Sequence, residues 1–250
     1  MSESKQRWRI VFARDDDARF LSHLDAIHLW ERAFRRGGIP VATSGGFSSR
    51  PRLVFAAPLP LGMLAEHELA DLYLTERLTR PDLRVRLAAG MPRGYRLIDL
   101  RDEWVGGPAV ATLVVAADYR MTLLGVAADR LEGAARSLLA AAELRREKRR
   151  ERKVTAYDLR PLLLDLQVRP TGLWMRLRNS QEMGSGRAEE VVAAVADELG
   201  MATAVAPGSV ESETEEETEL SRSIEPSPGR PVLEIVRPIR ERLWLSDELG

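Results

Sequence analysis

The sequence predicts an α+β protein of two tandem β-α-β-β-α-β domains with mostly antiparallel sheets, over residues 1–106 and 107–250. Three observations carry this prediction. Short runs that alternate apolar and polar residues, the period of a strand, are interleaved with segments whose apolar residues recur at helical spacing. Glycine, proline and aspartate fall at the junctions between them. The order of these segments then repeats in the second half without a repeat of residue identities.

In the first half, Arg7–Ala13 (RWRIVFA) alternates as a half-buried strand does. Asp15–Asp17 make a turn, and Ser22 caps a helix running to Arg36, with Asp25 in its first turn to complement the positive end of the dipole. Ile27, Trp30 and Phe34 share one helical face and predict a core, and Gly37 and Gly38 end the helix. Val41–Thr43 and Leu53–Ala57 read as short strands on either side of a glycine-containing loop, and His67–Leu74 as a strand of alternating exposure. Pro81 opens a helix to Ala89, and Tyr95–Trp104 is the closing strand.

The second half begins with a strand from Ala111 through Met121 and a helix over 127–142 carrying Leu131, Ala135, Leu138 and Leu139. A strand around Val154–Val168, its hairpin partner Leu173–Arg178, a helix over Arg187–Leu199 and a strand over Ile235–Leu245 complete the repeat. Two helices covering one face of each antiparallel sheet make both domains ferredoxin-like in expectation.

Composition narrows the chemistry. The chain has 250 residues, 44% of them apolar, enough for a sizeable core. The lack of cysteine excludes disulfides, thiolate metal sites, iron–sulfur ligation and cysteine nucleophiles. His23 and His28 stand about 140° apart around a helix, so they cannot chelate one ion from a single face. Neither a metal site nor a cofactor is expected. The longest uncharged apolar run, Pro108–Ala117, falls far short of the roughly 20 residues of a spanning helix. The N-terminal MSESKQRW lacks the apolar stretch of a signal peptide. A soluble, cytoplasmic protein without a membrane partner is expected.

The net charge of −1 conceals an asymmetry. Residues 207–231 hold seven glutamates against two arginines, leaving a charge of +4 on the rest of the chain. This Glu-, Ser-, Thr- and Pro-rich stretch has little to bury, and its composition predicts a disordered, solvated insertion. Only Lys5, Lys148 and Lys153 are lysines; the other 34 basic residues are arginines, which bind phosphate in bidentate fashion.

The densest cluster of positionally demanding residues is Arg19–Gly62. It contains FLSHLD, a helix with ERA-x-RR-x-G-I-P-V-A, and S-x-GF-x-x-x-PRL-x-FA-x-PLPLG. This signature resembles a bacterial radical-SAM-linked family of unknown function, and the likeness continues weakly at Tyr157–Leu166 and in the terminal RERLWL. The resemblance implies a module that is either a stand-alone protein or appended to a radical SAM protein; this chain has no cysteines for that chemistry itself. The layout is also similar to tandem ferredoxin-like RNA-binding proteins of the CRISPR repeat-processing type.

Within the signature, Gly45, Gly46, Phe47, Arg50 and Arg52 form the main candidate site. The loop is either an anion site, where glycine amides and guanidinium groups would hold a phosphate and Phe47 would stack on a base, or an ordinary strand connector with a buried Phe. Arg35 and Arg36 either extend this anion site or complement the dipole of their own helix. His23, near the start of the helix, is either a structural histidine or a general acid–base. Glu143–Lys153 (ELRREKRRERK) carries seven cations, Arg149 and Arg150 among them. The spacing of Glu143, Glu147 and Glu151 by four supports a charged helix, while the same run also suits a basic hairpin facing RNA. Asp158 and Arg160 flank a kink that they support by ion pairing or backbone contacts. No paired catalytic carboxylates, P-loop, Rossmann fingerprint or nucleophile elbow is present.

The reading leans away from an enzyme and toward an RNA-interaction module in bacterial RNA modification or processing. It would contact tRNA or rRNA and partner a radical SAM protein or a ribonuclease. Two alternatives stand beside it. One is a small metal-independent enzyme on RNA or nucleotide phosphate that uses His23; the other is an adaptor whose acidic insertion docks a basic partner.

Overall fold

The computed structural model describes residues 3–44, 50–150, 153–180, 182–205 and 231–249. It is a mixed α+β structure, mostly antiparallel, with five α-helices among the described residues. The chain divides into two units, residues 1–114 with 245–250, and residues 115–244. The predicted acidic insertion falls almost entirely on 206–230, outside the described residues.

The first unit runs β1 (Gln6–Arg14), α1 (His23–Arg36), β2 (Leu53–Phe55), β3 (Leu64–Leu74), α2 (Arg80–Gly90) and β4 (Tyr95–Glu103), followed by the single turn α3 (Val110–Leu113). Its strands lie in the order β2-β3-β1-β4, each pair antiparallel. Ser22 caps α1 as predicted, its hydroxyl accepting from the Asp25 amide at 3.2 Å and donating to the Asp25 carboxylate at 2.7 Å. Thr79 caps α2 in the same way through Asp82. Trp8, Ile10 and Phe12 of β1 meet Trp30 and Phe34 of α1 and Leu83 and Leu87 of α2 in the core. Trp30 is its hub, with ring centroids 5.2 Å from Phe12, 5.7 Å from Phe34 and 5.5 Å from Tyr95. Burying a side chain such as Phe34 stabilises by about 1.5–3 kcal/mol.

Three expectations for this unit are corrected. First, β1 is not half-buried: all nine residues are buried. The phase of the alternation is right, but its polar face lies under the 107–110 segment. There Asp71, fully buried, accepts from Arg9 Nε at 2.9 Å and from the Val110 amide at 2.8 Å, while Arg7 donates to the Gly107 and Pro108 carbonyls. A buried charge is tolerated only when paired and hydrogen-bonded in this way. For the same reason β3 is buried throughout 68–74 instead of alternating. Second, Val41–Thr43 is no strand but two isolated bridges, Val41 to Leu74 and Thr43 to Pro51. Third, Ile27 sits at the margin of the α1 core face, where Ala26 and Ala33 flank Trp30 instead.

The second unit runs β5 (Val114–Leu124), α4 (Ala128–Ala140), β6 (Arg145–Arg150), β7 (Lys153–Asp158), β8 (Leu163–Arg169), β9 (Gly172–Ser180), β10 (Gly184–Ser185), α5 (Ala188–Glu198), β11 (Ala202–Val205) and β12 (Val232–Leu245). Its main strand order, β8-β9-β5-β12, repeats that of the first unit. Leu131, Ala134, Ala135 and Leu138 of α4 and Val191, Val192 and Val195 of α5 are buried.

The described part of the Glu143–Lys153 run is extended, not helical, as in the hairpin alternative: Arg145–Arg150 is β6 and Lys153 begins β7. The two strands pair antiparallel in a separate two-stranded sheet. The strand predicted over 154–168 is in fact β7 and β8, broken by a single helical turn at Arg160–Leu162. Asp158 makes that break by accepting from the amides of Leu144 and Arg160, and Arg160 donates to the carbonyls of Leu139 and Leu163. No helix among the described residues is long and apolar enough to cross a membrane.

Candidate functional site

Helix α1 ends at Gly37, and Gly38 follows in the left-handed region at φ 59°, turning the chain back along the helix. The returning segment is pinned to its neighbour at three points. The Ser44 amide donates to the Arg50 carbonyl at 2.8 Å, the Arg50 amide to the Ser44 hydroxyl at 3.2 Å, and the Arg52 amide to the Ala42 carbonyl at 2.7 Å. The chain therefore leaves and re-enters at a fixed gap of one residue pair. Gly45, Gly46 and Phe47, which occupy the intervening stretch, lie outside the described residues.

Between this pinned pair and the outward face of α1 is an open groove of about 540 Å3. Phe34, Ile39, Val41 and Pro51 give it an apolar lining, and His28, Glu31, Arg35, Thr43 and Arg50 give it a polar one. Arg35 and Arg50 are exposed, and their guanidinium groups have no hydrogen-bond or ion-pair partner among the described residues. The helix and the loop base thus bring together two of the sequence-predicted cations.

The other candidates go elsewhere. The Arg52 guanidinium lies 3.7 Å from the Tyr73 ring centroid and donates to the Ser4 hydroxyl at 3.1 Å. Arg36 donates to the Gly90 carbonyl at 2.9 Å, tying α1 to α2. Arg149 and Arg150 belong to β6, and their side chains lie outside the described residues. Earlier in that strand Arg145 pairs with Glu143, and Arg146 with Glu190 and Asp197.

His23 does not line the groove. It stands over a second, much smaller cavity of about 20 Å3 bounded by Arg14, Glu68, Tyr95, Phe12 and Phe55. That volume holds about one water molecule. The His23 ring meets Phe55 edge-on at 5.5 Å, and partial burial pushes its pKa below the usual imidazole range. Burial raises the Tyr95 phenol above its ordinary value, opposed by the Arg14 guanidinium and reinforced by Glu68. Arg14 is itself anchored to the carbonyls of Pro60 and Met63 at 2.9 and 2.7 Å.

Glu31 and Thr43 were not among the sequence-based candidates. The spacing of His28, Glu31 and Arg35 at i, i+3 and i+7 places them on one helical face and is the signal that finds them. Arg14, Glu68 and Tyr95 come from three strands far apart in sequence, and no local spacing marks their convergence on His23.

Residues 7–193 match a family model described as an uncharacterized protein conserved in bacteria, DUF2344. No curated protein matches the chain.

Proposed function

The chain belongs to the DUF2344 family of uncharacterized conserved bacterial proteins, and for this member we propose an RNA-interaction module that seats a backbone phosphate between Arg35 and Arg50. That exposed Arg35 and Arg50 both line one groove is the observation that carries the reading. Two arginines lining one groove suit the oxygens of a phosphodiester, and charge-assisted hydrogen bonds of that kind are the strong ones. Glu31, in the same lining, is placed to accept from a ribose hydroxyl, a group that RNA has and DNA lacks. The apolar lining accommodates the sugar or base edge.

The repeated strand order supports reading both units as ferredoxin-like. The likeness of the Arg19–Gly62 signature to radical-SAM-linked proteins supports a place beside such an enzyme in RNA modification, where this chain contributes binding.

Filter binding against total tRNA and rRNA fragments tests the reading. Arg35→Ala with Arg50→Ala is expected to weaken binding at least tenfold and to reduce the salt slope by about 1, for the one phosphate no longer held. Arg52→Ala should leave the salt slope unchanged, because its guanidinium is committed to Tyr73 and Ser4. No affinity for either RNA, or affinity indifferent to the double substitution, overturns the proposal.

A further inference from the structure

The second unit carries side chains that the groove does not use. Along β9, Leu173, Met175 and Leu177 are buried while Trp174 and Arg176 stand on the opposite, half-exposed face. The registers place Arg120 of β5 and Gln167 of β8 across from Trp174 on that face, with Asp118 across from Arg176. Trp244 and Arg242 of β12 join them. The Arg176 guanidinium lies 5.5 Å from the Trp174 centroid and 4.4 Å from that of Trp244, so one cation bridges two indoles. Arg169 stands 5.7 Å from Trp174, and Arg242 lies 4.0 Å over Trp244.

The geometry holds the rings in place. Trp174 Nε1 donates to Glu241 at 3.1 Å, and Glu241 also pairs with Arg120 at 2.6 Å. Asp118 takes both nitrogens of the Arg176 fork at 2.7 and 2.9 Å. Asp165, the remaining carboxylate here, accepts from Gln167 and from the Leu166 amide. Asp118, Asp165 and Glu241 hold the interior of the face, and Arg169, which donates to Gln167 at 2.9 Å, and Arg242 are exposed at its rim.

We propose that this sheet face binds single-stranded RNA, with a base stacked on Trp174 and the backbone followed by Arg169 and Arg242. The inference rests on the RNA reading given above and adds the form of RNA and a second contact surface. Tryptophan and arginine planes stack on any unpaired base regardless of sequence. Duplex bases are already stacked on one another and cannot reach a flat sheet. The loose 5.5 and 5.7 Å spacing of the two cations at Trp174 leaves that ring as the first place for a base.

Fluorescence anisotropy of the full chain with a labelled oligouridylate, alone and as a duplex of equal length, tests this. The wild type should prefer the single strand. Trp174→Ala should weaken that binding about tenfold, within the range for one stacked base, while Trp174→Phe, which keeps a stacking plane, should retain most of it. Thermal unfolding of each variant separates lost binding from lost folding. If Trp174→Ala fails to fold, Arg169→Ala with Arg242→Ala, both at exposed positions, carries the test with the same expected loss. Wild-type affinity in the folded sheet variants, equal affinity for the duplex, or binding of an acidic peptide in place of the oligonucleotide overturns the inference. Loss on Arg35→Ala with Arg50→Ala but none in the sheet variants rejects the sheet alone; loss in the sheet variants only rejects the groove alone. Absence of any RNA binding rejects both.

Discussion

At the scale of single residues, the arginines around the loop base divide between the groove, which Arg35 and Arg50 line, and the frame that holds it. Arg35, Arg36, Arg50 and Arg52 all stood out as cations around one loop, yet Arg52 lies on Tyr73 and Arg36 on a carbonyl of α2. Those partners are 21 and 54 positions away, beyond the reach of any local pattern. His23 shows the same limit: its place in the first turn was readable, but the Phe55 ring against it was not. That contact has a measurable consequence. Partial burial favours the neutral imidazole, so the folded pKa lies below the unfolded value of about 6.5. The unfolded chain therefore binds the proton more readily, and stability is lost as pH falls from that value toward the folded pKa. The urea midpoint of the wild type should drop between pH 7.5 and pH 5.5 by more than that of His23→Gln. Equal drops in the two proteins would show that His23 contributes nothing to the acid sensitivity.

At the scale of elements, helices with strong caps were the most readable. Ser22 with Asp25 marked the start of α1, and Pro81 marked that of α2 within a residue. Period-four glutamates misled at Glu143–Lys153, because an exposed charged run satisfies a helix and a hairpin equally, and the choice rests on its partner strand. The packing of α1 on α2 was also hidden, since it depends on two glycines that local reasoning treats as terminators. A Cβ at Gly90 would stand 2.2 Å from the Ala33 carbonyl oxygen, and one at Gly37 would stand 2.4 Å from that of Arg86. Both clashes are with backbone, so the helices themselves must separate. Gly90→Ala is expected to destabilise by about 1–3 kcal/mol, the usual cost of overpacking. Gly133→Ala, in α4 with nothing within 4 Å of the added Cβ, should instead stabilise by about 0.4–1 kcal/mol. Thermal unfolding of the two variants should shift in opposite directions. A shared direction would mean that the helix contact at Gly90 yields without strain.

At the scale of the whole chain, alternation and helical period made the mixed α+β, mostly antiparallel class legible, while β10 and β11 of the second unit went unread and β6 was read only as the alternative to a helix. The burial of both faces of β1 was not legible, since paired charges such as Arg9 and Asp71 mimic a solvated face in sequence. Charge distribution is the remaining property at this scale, and it bears directly on RNA. The glutamates of 207–231 offset the excess of +4 on the rest of the chain. A tethered anionic segment competes with phosphate for cationic surface wherever it lies, at an effective concentration that free polyanions seldom reach. Deleting Ser209–Pro228 removes seven glutamates and one arginine, taking the net charge from −1 to +5. RNA affinity should then rise severalfold at about 50 mM salt and converge with the full chain near 300 mM, where the screening length shrinks well below 10 Å. Anisotropy titrations of the two proteins across that range check this. If the gain persisted undiminished at high salt, the segment would be blocking the surface by contact and not by charge. If there were no gain at low salt, the arginine surfaces would lie beyond its electrostatic reach.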